Sequence, residues 1–494
     1  MSSHTEFEEL VASRMLRFNY LLEKAQYQFK KYQYEGVEWC VKNELRPDPP
    51  ANIRGGFIAD EMGLGKTITM IGTMFINFLP RTLIVVPPIL IQQWFNEIYK
   101  SSGHRAMLFY GDVRKKITQE DLNKAPIVLT TYNMLLPDNC LLKNVLWNRV
   151  IFDEAHHLCN SSTKRFQACK QLKTRVRWIV TGTPIQNKKK DFYNLCNIAG
   201  MKSTFYKNPD NLRVIGKNFV LRRTKQNVGI NLPPVNNVEC IVEWKTNAEM
   251  MLAEEIHSLL PKQTFVSQSK SKKLAESFQK SSSTLIVALL RSRQCCVLPA
   301  LMLPKIQTFS ENGWIENTDY LKTLNCSSKL DTVIDRILER KDNGKGKIIF
   351  CHFRTEIDVI YERLIKGGLK KVICYDGRNS GGHNLDMLVE PADALIIQIQ
   401  SGCEGLNLQH NFSEIYFVSP HWNPYVEDQA IARCHRIGQT KPVDVFKFIM
   451  QGFSGEKTKE STKEVIKTCS METYITDVQC RKKEIGQRIL NGEV

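Results

Sequence analysis

Three sets of residues in this chain could do chemistry on a phosphate-bearing ligand. The first is Gly63-Leu64-Gly65-Lys66-Thr67. Glycines at such a place let backbone N–H groups crowd around phosphate oxygens at the start of a helix. Lys66 would then reach the β- and γ-phosphates of ATP, and Thr67 would ligate Mg²⁺. The full phosphate-loop pattern carries another glycine six positions before its lysine; this chain has Asp60 there. A chance turn is the alternative. The second set is Asp153-Glu154, which closes the apolar run "VIF". Acid at the end of a buried strand is costly unless it is paired or binds a cation. Asp153 suits Mg²⁺, and Glu154 suits orienting and deprotonating an attacking water; an acidic helix cap is the alternative. The third set is Arg433 and Arg436 in "QAIARCHRIGQ", three apart and expected on one helical face. Two adjacent guanidiniums repel unless an anion lies between them, and arginines stabilise the charge on a transferring phosphoryl group. A solvated basic face is the alternative, and on this segment alone the simpler one. In "QFKKYQYEGVEW", Gln33 could pair its amide with the edge of adenine, whereas Tyr34 and Trp39 read as packing residues.

The elements around these residues repeat one rhythm. Apolar runs stand at GGFIAD, 81–88, 125–132, 149–156 and 177–184, each followed by a helical stretch. Runs apolar on both faces belong to parallel sheets, and strand–helix alternation means an α/β fold. Ligands then bind beyond the carboxyl ends of the strands, where the residues above lie. The rhythm returns at 346–353, 370–377, 392–402, 413–420 and 442–449. The expected fold is therefore α/β, with two parallel-sheet lobes. The expected divisions are an N-terminal ATP-binding lobe over 1–235, a polar helical insertion over 236–326 and a C-terminal lobe over 327–450. A polar loop and a packed helix then fill 451–494.

At 494 residues, with 42% hydrophobic residues, the chain can bury sizeable cores. Its net charge of +17 favours a polyanionic partner, nucleic acid before membrane. No apolar run approaches the roughly 18–20 residues of a membrane helix. The opening MSSHTEFEEL lacks a signal-peptide core, so an intracellular place is expected. The 15 cysteines are scattered with no C-x-x-C, which argues against zinc modules and for reduced thiols.

In this order and spacing, the segments resemble the Swi/Snf-type DNA translocases of helicase superfamily II. "KKYQYEGVEW" resembles the family's adenine-reading segment. "DEMGLGKT" resembles its form of the phosphate loop, in which an acidic residue replaces the first glycine. "LIVVPPILIQQWFNEI", "VLTTYNML", "DEAHHLCN", "VTGTPIQN", "VLRRTK", "LLRSRQCC", "SSKLDTVIDRI", "GLNL" and "SPHWNPYVEDQAIARCHRIGQT" resemble later motifs. The "HWNP" form is most similar to the repair-translocase branch, without that branch's RING insertion. The resemblance implies two RecA-like lobes with ATP between them. Gln33, Asp60, Glu61, Met62, Gly63, Leu64, Gly65, Lys66 and Thr67 would hold the nucleotide. Asp153 would hold Mg²⁺ with Thr67, and Glu154 would activate water. Arg433 and Arg436 would act from the second lobe. Thr130, Thr131 and Ser401 would touch DNA phosphates.

The implied activity is ATP hydrolysis coupled to stepping along double-stranded DNA. Nucleosomes, replication forks or transcription complexes would be the loads, in a nucleus or a viral factory or virion. Two features depart from the family pattern: Glu404 in "QSGCEGLNL" replaces a small residue, and the segment after "YDGRNS" is short. The other readings are a strand-separating helicase, a small-molecule phosphotransferase and a DNA-binding scaffold with a decayed ATPase. A phosphotransferase would leave the second lobe and its arginine pair unexplained.

Overall fold

The computed structural model describes residues 2–183, 189–260, 283–311, 324, 327–378, 390–402, 406–456 and 465–490. The chain divides into two compact units, Met1–Asn231 with Lys482–Val494, and Leu232–Arg481. Each is built on one parallel sheet, as the α/β rhythm requires.

The first sheet has seven strands. In chain order they are β1 (Arg54–Ile58), β2 (Thr82–Val86), β3 (Met107–Phe109), β4 (Ile127–Thr131), β5 (Leu146–Asp153), β6 (Lys173–Val180) and β7 (Val220–Leu221). In space they run β3-β4-β2-β5-β6-β1-β7. Successive residues feed opposite faces, the period of two that a strand imposes. Phe57, Leu83, Val85, Val150, Phe152 and Ile179 enter one core layer. Ile58, Ile84, Val86, Ile151, Trp178 and Val180 enter the other. The runs look continuously apolar because both faces are covered.

Five α-helices lie within the first 102 residues. They are α1 (Ser2–Met15), α2 (Arg17–Ala25), α3 (Lys31–Leu45), α4 (Lys66–Ile76) and α5 (Ile91–Ser102). Helix α5 buries Ile91, Trp94 and Ile98, a stripe at helical spacing. Beneath α3 lies a buried ion pair. Glu44 Oε1 accepts from Arg149 Nε and Trp178 Nε1, each at 2.7 Å. Its Oε2 accepts from Asn77 Nδ2 at 2.6 Å and from Arg149 Nη2. Arg149 also donates to the carbonyl of Asn77 at 2.7 Å. This network fixes α3 and the end of α4 to the middle of the sheet.

The second sheet comprises β8 (Val235–Val242), β9 (Gly346–Cys351), β10 (Val372–Tyr375), β11 (Ala394–Gln398), β12 (Phe412–Phe417) and β13 (Val443–Met450), ordered β10-β11-β9-β12-β13-β8. Its two faces are covered in the same alternating way: Ile349, Ile396 and Tyr416 lie in one core, Ile348, Ile397 and Ile415 in the other. Further helices are α6 (Asn247–Ser258), α7 (Ser283–Val297), α8 (Ser328–Glu339), α9 (Arg354–Lys366), α10 (Pro424–Ile431) and α11 (Met471–Leu490).

Two sequence expectations are corrected. The stretch 236–326 does not begin as a helical insertion, because β8 pairs in parallel with β13 along eight residues. Its "VNNVECIV" is mostly exposed, so the asparagines sit on an edge and dilute the apolar signal. The polar loop after 450 contains two short strands, β14 (Phe453–Glu456) and β15 (Val465–Thr468), paired antiparallel. The basic serine-rich segment 267–280 lies outside the described residues. Among the described residues, no helix is long and apolar enough to cross a membrane.

Breaking a buried ion pair from one side strands the other charge, at a cost of about 3–5 kcal/mol. Glu44→Leu is therefore expected to lower the denaturant midpoint of the full chain sharply, while Glu44→Leu/Arg149→Met recovers most of the loss. Equilibrium unfolding in urea checks this; strictly additive losses would contradict it.

Candidate functional site

The phosphate-loop candidate leaves β1 and enters α4. Gly63 has φ 90° and Gly65 φ 82°, a left-handed backbone that favours glycine. A Cβ on Gly65 would lie 2.5 Å from Gln33 Nε2. Gln33 is buried in α3 and donates from Nε2 to the carbonyl of Leu64 at 3.2 Å. Helix α3 thus touches the loop through the residue singled out as an adenine reader. Lys66 opens α4, and its Nζ donates to the carbonyl of Asp60 at 3.0 Å. Thr67 follows it in the first turn of α4.

The missing glycine has a structural explanation. Asp60 is 1% exposed, and both its oxygens bind Arg223. Oδ1 accepts from Arg223 N and Nε at 3.0 Å each, and Oδ2 accepts from Nη2 at 2.5 Å. Glu61 accepts from Lys225 N at 2.8 Å and pairs with Lys225 Nζ at 3.1 Å. Backbone bonds run alongside: Ala59 N donates to Leu221 O and Glu61 N to Arg223 O, both at 2.8 Å. The strip β7–Lys225 therefore continues the β1 ladder into the loop and neutralises its two acids. The carboxylate of Asp60 is occupied as a strut, which corrects its expected place among the nucleotide's direct partners. Met62 and Leu64 offer the loop only their backbone N–H groups as polar donors. Leu64 is buried, while the Met62 side chain lies where a Cβ on Gly182 would meet it at 3.1 Å.

Asp153 ends β5 in line with this loop. The register places Asp153 opposite Val180, and Val180 opposite Ile58. The ends of β5, β6 and β1 therefore form one row, with Asp153 two strand spacings, roughly 9–10 Å, from the start of the loop. Trp94 Nε1 donates to Asp153 Oδ2 at 2.7 Å, Glu154 N donates to Oδ1 at 2.9 Å, and Tyr132 Oη donates to the Asp153 carbonyl at 2.6 Å. Burial, then the neighbouring Glu154 charge, push the Asp153 carboxyl above its ordinary range; the indole bond and Lys66 oppose this. Glu154 itself holds φ 48° and ψ 47°, a left-handed conformation unusual for a side chain of its size. Its Oε2 lies 3.2 Å from His156 Nδ1. Two carboxylates so placed, one of them buried, form an oxygen-rich donor set that suits a hard divalent cation.

Arg433 and Arg436 lie in the second unit, but not on a helical face. Helix α10 ends at Ile431, and the arginines occupy the turns that follow. The helix stops because the chain is hooked back: Leu408 N donates to Arg433 O at 3.1 Å, and Gly438 takes φ 99°. Buried Gln439 spans the turn, donating to the carbonyls of Phe412 and Cys434 at 3.1 and 3.3 Å. Arg436 Nη1 bonds Asn407 Oδ1 of "GLNL". Burial, then the charge of Arg433, draw the Arg436 guanidinium down to about 10.

The expected DNA contacts fare unequally. Thr130 is fully buried, and its hydroxyl donates to the carbonyl of Phe109 at 2.8 Å, so its side chain is not available to a phosphate. Its position inside a buried ladder overrides the placement inferred from the strand end. Thr131 is 1% exposed, and its hydroxyl meets no partner among the described residues. The side chain of Ser401 and all of Glu404 lie outside the described residues. Sequence reasoning missed Arg223 and Lys225. The signal was available: an acidic pair at a loop needs a cationic pair, and "RRTK" directly follows a short apolar run. The Trp94 indole, which supports Asp153, is a further residue of the site.

A parallel α/β unit with a glycine loop after its first strand and an acidic pair closing another strand has the form of a nucleoside-triphosphate-binding domain. The SNF2-related domain family matches residues 32–301, and the helicase conserved C-terminal domain matches residues 328–438. The chain belongs to the SNF2-related family and carries its helicase-like ATPase core. It is 28% identical over 491 residues to an uncharacterized ATP-dependent helicase of Mycoplasma genitalium, covering 94% of this chain and 42% of that protein. It is 27% identical to human chromodomain-helicase-DNA-binding protein 1, over 90% of this chain and 26% of that protein. It is 27% identical to a probable global transactivator of Orgyia pseudotsugata multicapsid polyhedrosis virus, over 85% of this chain and 86% of that protein. A solved SWI2/SNF2 ATPase core of Sulfolobus solfataricus in complex with dsDNA is 26% identical, covering 94% of each chain, with a TM-score of 0.39. The chain thus spans less than half the length of the mycoplasma relative and about nine-tenths of the viral one.

Gly65→Ala is expected to weaken binding of a fluorescent ATP analogue by at least about tenfold while leaving the fold intact. A left-handed non-glycine residue costs roughly 1–2 kcal/mol, and the added Cβ would strike Gln33. Gly65→Ala/Gln33→Ala removes the clash but not the backbone strain, so it should recover only part of the binding. Full binding by Gly65→Ala would contradict the loop geometry.

Proposed function

We propose that the chain hydrolyses ATP to ADP and phosphate and couples this to stepping along double-stranded DNA. The observation that carries the reading is the row of strand ends that brings the Lys66 loop and the Asp153–Glu154 pair together. Its membership of the SNF2-related family, a relative named as DNA-binding and the net charge of +17 support DNA as the track.

The loop's glycines turn backbone N–H groups toward the phosphates, and Lys66 neutralises the β/γ oxygens. Gln33, whose amide bonds the Leu64 carbonyl, would read the base. Asp153 and Thr67 would hold Mg²⁺, which would supply charge neutralisation for the phosphates. Glu154 takes the proton of the attacking water, a task its strained backbone suits by fixing the carboxylate. Arg433 and Arg436 stabilise charge developing on the transferred phosphoryl group. Supplying these arginines from a separate unit makes turnover depend on a conformational step. A duplex phosphate backbone would bias that step, with nucleosomes, stalled forks or transcription complexes as loads inside the cell.

The test is steady-state ATP hydrolysis with no nucleic acid, with duplex DNA, with single-stranded DNA and with RNA. Duplex is expected to stimulate most. Glu154→Gln should lower turnover about 10²–10⁴-fold, and Arg433→Ala or Arg436→Ala about 10³-fold. Stimulation by single strands alone would replace this reading with a strand-separating helicase. Turnover indifferent to every nucleic acid would overturn the motor.

A further inference from the structure

At the amino ends of β1, β5 and β6 lies a cavity of about 190 Å³, remote along the strands from the phosphate loop at their carboxyl ends. Arg54, Arg175, Asn77, Asn148 and Glu44 are among the residues that line it. Its charge is one-sided. The Glu44 carboxylate is consumed by four hydrogen bonds to Arg149, Trp178 and Asn77. Arg54 spends one donor on the Glu44 carbonyl at 2.7 Å and reaches the Pro47 carbonyl only at 3.5 Å. Arg175 is exposed, and it sits close enough to Arg54 that its charge, after burial, draws the Arg54 guanidinium below its ordinary range. A third arginine, Arg14, donates to Oδ1 of Asn77, a lining residue. None of these three arginines forms an ion pair with a carboxylate among the described residues. Within the wall, Asn148 Oδ1 is buried with no hydrogen-bond partner among the described residues.

Like charges converging on a cavity beside an orphaned polar atom are stable when an anion completes them. Guanidinium forks match the oxygens of phosphate. Asn148 can take the O–H of a hydrogen phosphate, or turn its amide over and donate. We propose that this cavity binds a phosphate group between Arg54 and Arg175, as a second anion site separate from the nucleotide loop. The phosphate is either a free anion or one residue of a nucleic-acid backbone.

Calorimetric titration of inorganic phosphate into the full chain carrying Lys66→Ala silences the nucleotide loop and reads this site. Adding Arg175→Glu should weaken phosphate binding by at least about tenfold, as expected for loss of one charge-assisted fork. Arg54→Gln in the same background should act in the same direction. Arg175 is exposed and outside the buried network, so Arg175→Glu should leave ATP turnover without DNA unchanged and confirm an intact fold. Duplex binding by otherwise unaltered chain, measured by anisotropy across salt concentrations, separates the sources. A weaker duplex affinity with a shallower salt slope in Arg175→Glu assigns the phosphate to a DNA backbone. Loss confined to inorganic phosphate assigns a free anion. No change in either titration on Arg175→Glu and Arg54→Gln overturns the proposal.

Discussion

The first unit depends on the pairing of Asp60 with Arg223. An acid at the start of a phosphate-binding loop would repel the nucleotide and pay for its own burial. Arg223 removes both penalties with two side-chain bonds and one from its backbone. The same guanidinium also bonds the carbonyl of Tyr32 in α3, and it lies against Gly36, where a Cβ would meet it at 2.7 Å. One side chain therefore ties together the loop, the strip after β7 and the helix that carries Gln33. Lysine could not replace it, because only a planar fork meets both carboxylate oxygens and the carbonyl at once.

Around this clamp, register does the rest. Parallel pairing aligns Ile58, Val180 and Asp153, so the loop and the acidic pair meet without any long-range side-chain contact having to form first. Helix α5 sends Trp94 through its buried face to hold Asp153, and Tyr132 holds the same residue by its carbonyl. The buried Glu44–Arg149 network anchors α3 from below. In the second unit, Gln439 and Asn407 perform the corresponding task for the arginine turn. In the first unit these polar contacts are themselves buried, which keeps their geometry insensitive to solvent; in the second, Gln439 is buried while the Arg436–Asn407 bond is exposed.

Much of this was legible in the sequence. The ten apolar runs correspond to strands of the two sheets, because strands buried on both faces leave an unbroken hydrophobic signature. The glycine loop and the acidic pair were legible because their chemistry restricts residue type. What was not legible has physical reasons. Strands β3 and β7 are too short to show a period, and β8 is an exposed edge. The helical face expected for Arg433 and Arg436 failed because local spacing cannot foresee a turn imposed by a buried glutamine. Thr130 failed as a DNA contact because a strand end can be covered by its neighbour, here the Phe109 carbonyl. The role of Arg223 depends on a contact spanning 163 residues, which no local pattern reports.

The central claim is that Asp60 serves the nucleotide loop through Arg223 and not by touching the nucleotide. A double-mutant cycle on ATP affinity tests it, using Asp60→Asn, Arg223→Met and the two combined. The account predicts that each single change weakens ATP binding and that the double change is little worse than the poorer single. That outcome corresponds to a coupling of about 1–3 kcal/mol. Independent, multiplying losses would mean that Asp60 and Arg223 meet the nucleotide separately, and would contradict it.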